Sequence, residues 1–152
     1  MSTPLPASIV TALPSNHQVI RAFGSELIIH LSTQQTGGRC TMLTSIQPPG
    51  VGPPPHFHRN EDEWFFVLDG PTEFFNGGAW VEVPQGAAVF APKGVVHAFR
   101  NAGDRPQRVL VHTAPGGIET FFARCAEEFA KSSGPDMNRI IQISREHGIE
   151  YV

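Results

Sequence analysis

Residues 53–70 read PPPHFHRNEDEWFFVLDG and place two histidines one residue apart, after three prolines and before an acidic triplet. Side chains of a strand alternate between its two faces, so His56 and His58 point the same way, roughly 7 Å apart along the backbone. Two imidazoles at this spacing can bind one metal ion through bonds of about 2.1 Å. A solvated pair of surface histidines has the same spacing, so the pair alone does not identify a metal site.

Other residues favour the metal site over a solvated loop. An acid follows at Glu61, Asp62 or Glu63, directly before an apolar run where a buried carboxylate needs a partner. A third histidine, His97, is expected at the start of a short strand. Three imidazoles and a carboxylate form a nitrogen-rich set that suits Fe, Mn, Ni, Co, Cu or Zn. Prolines 53–55 stiffen the approach to the first two histidines.

The remainder of the chain indicates a β-rich domain followed by a helical tail. The 15 glycines and 14 prolines punctuate short apolar runs, which is typical of many short strands. Residues 76–78, Asn-Gly-Gly, predict a hairpin turn between two of these runs. Residues 1–18 are expected to form an extended arm, residues 19–116 the β domain and residues 117–152 the tail.

The tail is recognised because the spacing of the apolar residues changes after residue 117. One stripe of apolar residues has the spacing of an amphipathic helix, and it consists of Ile118, Phe121, Phe122, Cys125 and Phe129. Gly134 and Pro135 are expected to end this helix. Asp136 is predicted to cap a second helix that closes at Gly148.

Composition excludes several classes of protein. The 152 residues suit one domain that buries about two-thirds of its unfolded surface. A net charge of −3 with scattered basic residues argues against nucleic acid as a partner. No apolar run approaches the roughly 18 residues that span a bilayer, so we expect no membrane association. Without a signal-peptide pattern the expected location is cytoplasmic, and Cys40 and Cys125 are expected to be free thiols.

Two long stretches resemble the conserved motifs of the cupin family. Residues 50–70 match the first motif, G-x5-H-x-H-x4-E-x6-G, and residues 86–101 match the second, G-x5-P-x-G-x2-H-x3-N, at every fixed position. The short segment between the motifs is typical of small bacterial cupins. The resemblance is tight over residues 50–101 and loose in the flanking strands.

The resemblance implies an all-β fold, the double-stranded β-helix or jelly-roll barrel, with a C-terminal helical tail. It also implies one divalent transition metal ion per chain, bound by His56, His58, Glu63 and His97. The motif selects Glu63 among the three acids, so Glu61 and Asp62 are interpreted as a solvated turn.

Strand alternation predicts which side chains surround the metal. Those sharing a face with the ligands should form an apolar substrate pocket, and the expected members are Met42, Phe65, Val67, Phe74 and Phe99. Such a wall suits a flat aromatic or enolic compound better than a sugar phosphate. Alternatively, the same residues only fill a narrow barrel.

The tail sequence APGGIETFFARCAEEF is similar to that of small quercetinase-like cupins. This resemblance implies a metal-dependent dioxygenase that acts on a flavonol or another enolic or aromatic small molecule, with O2 as co-substrate and Glu63 as the catalytic base. The alternatives are a non-catalytic cupin that binds a metal or a small ligand, and a metal-dependent isomerase or lyase. A homodimer is expected, because small cupins commonly pair through sheet edges and the N-terminal arm can cover such an edge.

Overall fold

The computed structural model describes residues 4–152, so the first three residues of the expected arm lie outside it. A short 3-10 turn, Pro14–Asn16, precedes the barrel. The strands of the barrel are β1 (Gln18–Ala22), β2 (Ser25–Leu31), β3 (Thr41–Gln47), β4 (His56–His58), β5 (Asp62–Val67), β6 (Thr72–Asn76), β7 (Ala79–Val83), β8 (Ala88–Ala91), β9 (His97–Asn101) and β10 (Gln107–Ala114). The tail contains α1 (Ile118–Phe129), α2 (Met137–Glu146) and β11 (Ile149–Tyr151).

The strands form two antiparallel sheets that enclose the core. One sheet has the order β1-β2-β3-β10-β5-β8, and the other has the order β11-β4-β9-β6-β7. This arrangement confirms the all-β jelly-roll fold with helices at the C-terminal end. The predicted hairpin is also confirmed, because β6 and β7 pair across the turn at residues 77–78.

Alternation places the core on the inner faces of the sheets. In β5, for example, Phe65 and Val67 are buried whereas Trp64 and Phe66 are exposed. The inner rows of β5, β9 and β10 meet the buried stripe of α1, which includes Ile118, Phe121 and Cys125. Both cysteines are free thiols, as expected.

The tail differs from the expected appendage because its last residues join a sheet. Asp136 caps α2 as predicted and accepts hydrogen bonds from the backbone N–H groups of Asn138 and Arg139. Helix α1, however, ends at Phe129, several residues before Gly134, and the chain after α2 forms β11 beside β4. None of the described helices is long and apolar enough to cross a membrane.

Glu119 attaches helix α1 to the barrel. Its carboxylate accepts hydrogen bonds from the hydroxyl of Thr41 and the backbone N–H of Thr33, both at 2.6 Å. Burial raises the pKa of Glu119, but these hydrogen bonds outweigh burial and bring the pKa below its ordinary value of 4.5. The ionised carboxylate therefore stabilises the contact between α1 and the barrel.

We expect Glu119→Gln to lower the free energy of unfolding by about 1–2 kcal/mol at neutral pH, because hydrogen bonds to a charged acceptor are lost. Since folding depresses the pKa of Glu119, its contribution is complete above pH 4.5 and is lost as the pH falls through the folded value. The two proteins should therefore converge in acid. Urea denaturation at pH 7 and pH 3.5 measures this, with Glu127→Gln, on the exposed face of α1, as the control. An equal loss in both variants would contradict the role of Glu119.

Candidate metal centre

Both sheets contribute to one cluster of buried polar side chains. His56 and His58 lie on β4 and face the barrel interior. His97 begins β9 and stands directly opposite His56 in the antiparallel pair, where side chains on one face approach most closely. Glu63 lies on β5, in the other sheet. The cluster therefore joins the two walls of the barrel.

The four predicted ligands meet at one point. Each offers a ligand atom within 4.8 Å of the others, and all four residues are buried. The Oε2 atom of Glu63 lies 2.7 Å from Nε2 of His97 and 3.2 Å from Nε2 of His58. The ring centroid of His56 lies 5.1 Å from that of His58 and 4.6 Å from that of His97.

Backbone carbonyls set the orientation of two of the imidazole rings. Nδ1 of His56 donates to the carbonyl of Pro54 at 2.8 Å, and Nδ1 of His97 donates to the carbonyl of Val95 at 2.9 Å. A carbonyl can only accept, so a hydrogen must lie on Nδ1 and Nε2 is left to face the cluster, where Nε2 of His97 donates to Glu63 at 2.7 Å. Both rings thus present Nε2 as the atom able to bind a metal.

The interpretation of Glu61 as part of a solvated turn is wrong. Its side chain is buried, with 7% of the residue exposed, and Oε2 accepts a hydrogen bond from Nδ1 of His58 at 3.2 Å. Asp62, half-buried, instead accepts a hydrogen bond from the backbone N–H of Lys93. Alternation was the signal that could have shown this difference, because Glu61 and Glu63 share one face of the extended chain and Asp62 lies on the other.

Burial and charge move the pKa values of the cluster in different directions. Burial, with the charges of His97 and His58, lowers the pKa of His56 to about 4. Burial also lowers the pKa of His58, but Glu63 and Glu61 outweigh it and raise that pKa to about 10. Burial raises the pKa of Glu63, yet His58 and His97 hold it well below its usual range. Glu63 is therefore ionised, and a bound metal would displace a proton from the neighbouring imidazoles.

The residues present fit a metal ion. Among the described residues, Nε2 of His58 is one of four buried side-chain atoms without a hydrogen-bond partner, although Oε2 of Glu63 lies 3.2 Å away. A buried polar atom without a partner is costly, and coordination would satisfy it. Three imidazoles and one carboxylate suit a single divalent ion among Fe, Mn, Ni, Co, Cu and Zn.

A cavity of about 70 Å³ adjoins the cluster on the side facing α1 and the C-terminal strand. His56, His58 and Glu63 contribute to its wall, and most of the remaining wall is apolar. The aromatic residues that line it are Phe23, Phe99, Phe121, Phe122 and Tyr151. A ligand in this cavity would lie against apolar rings and beside the carboxylate.

Four of the five residues predicted to form the substrate pocket do not line this cavity. Phe99 lines the cavity, as expected. Phe65, Val67 and Phe74 are buried in the core but do not line it, so they fill the barrel. Met42 lies on the outer face of β3, because Leu43 on the same strand lines the cavity and neighbouring side chains alternate.

The aromatic wall residues missed in the sequence come from the tail and from the β1–β2 turn. The phenylalanines of α1 belong to the apolar stripe noted in the sequence, but the stripe shows only that they are buried, not that they face a cavity. Phe23 adopts a φ of +55°, a left-handed conformation that is unusual for a bulky residue. Its ring stacks on Phe121 with a centroid distance of 6.0 Å.

Comparison with known proteins agrees with the fold and the motifs. A family model described as "Cupin domain" matches residues 42–113, which include all four ligand residues. The polyketide synthase CurC of Streptomyces cyaneus is 28% identical over 74 residues, which cover 49% of this chain and 48% of CurC. The curated relatives that match are covered over 41% to 63% of their own length.

Solved structures share the architecture at low sequence identity. KdgF from a Halomonas species superposes with a TM-score of 0.64 at 18% identity, covering 74% of this chain and 99% of KdgF. The polyketide cyclase RemF from Streptomyces resistomycificus superposes with a TM-score of 0.59 at 23% identity, covering 70% of this chain and 80% of RemF. At these identities the likeness concerns the fold alone.

We expect His97→Ala to weaken metal binding by more than about 100-fold, because removal of a ligand should cost more than disturbance of an outer-shell partner. Elemental analysis after dialysis and titration with Co²⁺ measure the loss. His112→Ala is the matched control, since His112 packs against Trp64 on the outer face of β10. Full metal occupancy in His97→Ala would show that the ligand set is wrong.

Proposed function

The chain belongs to the cupin superfamily, and from this premise we propose that it is a metal-dependent dioxygenase of the quercetinase-like type that acts on an enolic or aromatic small molecule. The observation that supports this most strongly is the position of Glu63. Its ionised carboxylate belongs to the ligand cluster and also lines the apolar cavity. One group can thus hold a metal and take a proton from a bound substrate.

The protein residues divide the work between binding and proton transfer. Bound by His56, His58, Glu63 and His97, a divalent transition metal supplies Lewis-acid and redox chemistry. Phe99 and the aromatic side chains of α1 orient a flat substrate and exclude water from it. An Oε atom of Glu63 accepts the enol proton, and the imidazoles of His97 and His58, at 2.7 and 3.2 Å from Oε2, keep this carboxylate in place.

The proposed reaction balances without an added reductant. For a β-diketone in its enol form, the C–C bond next to a carbonyl breaks and both atoms of O2 enter the products, a carboxylic acid and a ketoaldehyde. The substrate loses four electrons and O2 gains four. The proton held by Glu63 returns to the products.

Cavity size limits the substrate. An engineered apolar cavity of about 150 Å³ accommodates benzene, whereas the cavity here is about 70 Å³. A small enol fits with little adjustment. A ring-sized substrate requires Phe23 or Phe122 to turn outward, and a flavonol requires α1 to move further from the barrel mouth.

A second candidate is a metal-dependent reaction without oxygen, such as a cyclisation, isomerisation or elimination on an enolisable ketone. It is favoured by the sequence match to CurC, described as a polyketide synthase, and by the fold shared with RemF, described as a polyketide cyclase. Proton removal by Glu63 is common to both candidates, so oxygen dependence separates them.

Oxygen uptake by metal-loaded protein tests the proposal. With a panel of a β-diketone, a catechol and a flavonol, we expect one mole of O2 consumed per mole of substrate in air and no turnover under nitrogen.

At equal metal loading, Glu63→Gln should reduce kcat by about 10²–10⁴-fold because the base is lost. The control Glu82→Gln changes an exposed residue of β7 and should retain the native rate. Turnover under nitrogen would favour the second candidate. Tight binding without turnover in either atmosphere would indicate a non-catalytic cupin.

We also propose that the protein forms a homodimer through the outer face of the six-stranded sheet. Trp64 on β5 and Phe90 on the edge strand β8 pack against each other there at a centroid distance of 5.0 Å and remain 38% and 52% exposed. The N-terminal arm also exposes apolar side chains, among them Ile9 at 94%. A second copy of the chain would cover both this aromatic pair and the apolar side chains of the arm.

We expect Phe90→Ser to weaken dimerisation by more than about tenfold, because burial of an aromatic side chain contributes about 1.5–3 kcal/mol. Sedimentation velocity over a range of concentrations measures the change. Val81→Ser is the control, since Val81 is 49% exposed on the other sheet. A native protein that sediments as a monomer at all concentrations would contradict the proposed dimer.

A further inference from the structure

The three histidines of the cluster differ in what holds their outer nitrogen. His56 and His97 each donate from Nδ1 to a backbone carbonyl two residues earlier, so their orientation comes from the main chain itself. Nδ1 of His58, in contrast, does not donate to a backbone carbonyl. Its Nδ1 donates to the carboxylate of Glu61 at 3.2 Å.

The Glu61 carboxylate is buried without the ion pair to a Lys or Arg that usually accompanies a buried charge. A charged side chain with only 7% exposure is unfavourable unless it is paired. No Lys or Arg among the described residues forms an ion pair with Glu61, and its partner is the imidazole of His58. The hydrogen bond to His58 is therefore the direct contact that compensates for the burial of Glu61, and the charge of Glu61 also acts on the nearby ring of His147.

We propose that Glu61 is a positioning residue that orients the ring of His58 and directs its Nε2 into the metal centre. A carboxylate bonded to the outer nitrogen of a ligating histidine fixes both the tautomer and the ring plane. Nε2 of His58, the atom that this contact turns inward, is a buried atom without a hydrogen-bond partner. The inference rests on the metal centre of the proposed function.

The C-terminal segment holds Glu61 in place through the loop of residues 59–61. The backbone N–H of Arg59 donates to the carbonyl of Gly148 at 2.7 Å, and the side-chain amide of Asn60 donates to the carbonyl of His147 at 3.3 Å. Gly148 has a φ of +74°, and a Cβ atom there would lie 2.5 Å from Asn60 Nδ2. A larger residue at 148 would therefore adopt a strained φ and push away the Asn60 side chain, which forms one of these two hydrogen bonds.

Binding of Co²⁺ alone, without substrate or oxygen, tests the proposal. We expect Glu61→Ala to weaken Co²⁺ binding about 10–100-fold and to change the visible absorption of the bound ion, because His58 is no longer oriented. Glu61→Gln keeps an acceptor for Nδ1 without the charge, so its affinity should lie between those of Glu61→Ala and the native protein. This variant also provides a test if Glu61→Ala does not fold.

Asp62→Asn is the matched control. It removes one negative charge at the next residue without touching a ligand, and screening by salt should limit its effect to less than about threefold. Native affinity and an unchanged spectrum in Glu61→Ala would overturn the role of Glu61 and leave the metal centre intact. Absence of Co²⁺ binding by the native protein would overturn both. An equal loss in Asp62→Asn would mean that charge, and not orientation, is responsible, which contradicts the proposal.

Discussion

The contact between the Glu63 carboxylate and the imidazoles of His58 and His97 is the interaction on which the interior of this barrel depends. A buried carboxylate is tolerated only with charged or hydrogen-bonding partners, and here the partners come from the opposite sheet. The two sheets must therefore close around this point. The same closure creates the set of nitrogen and oxygen donors that suits a transition metal.

The C-terminal tail is part of the site and not an appendage to the barrel. Strand β11 pairs with β4, the strand that contains two of the histidines, and Tyr151 stands directly opposite His56. Helix α1 covers the cavity with its phenylalanines and is attached to the barrel through Glu119. The loop before Glu63 is held by the backbone at residues 147–148. Loss of the tail would therefore affect ligand geometry as well as access to the cavity.

The arrangement of polar and apolar groups is consistent with chemistry on a small uncharged or enolic compound. The apolar wall lowers the local dielectric, which strengthens the interactions of the Glu63 carboxylate with any proton donor in the cavity. The narrow volume is set by aromatic side chains, and Phe23 occupies a left-handed backbone conformation at this wall. Strained residues cluster at binding sites, and Phe23 is such a residue in the wall of this cavity.

The sequence by itself determined the fold class, the hairpin at residues 76–78, the cap of α2 and the four residues of the metal cluster, because all of these follow from local turn chemistry or from fixed spacing within a motif. Only the tertiary structure decided the surroundings of that cluster. The face of β3 that turns inward depends on sheet pairing, since both Met42 and Leu43 are apolar, and the cavity wall depends on where α1 and β11 dock. Glu61 and Asp62 are adjacent acids on opposite faces of the chain, and residues 147–148 hold the loop in which the first is buried and the second half-exposed. The spacing of a motif relates residues that are close together in the sequence, whereas burial depends on contacts between segments that are far apart in it.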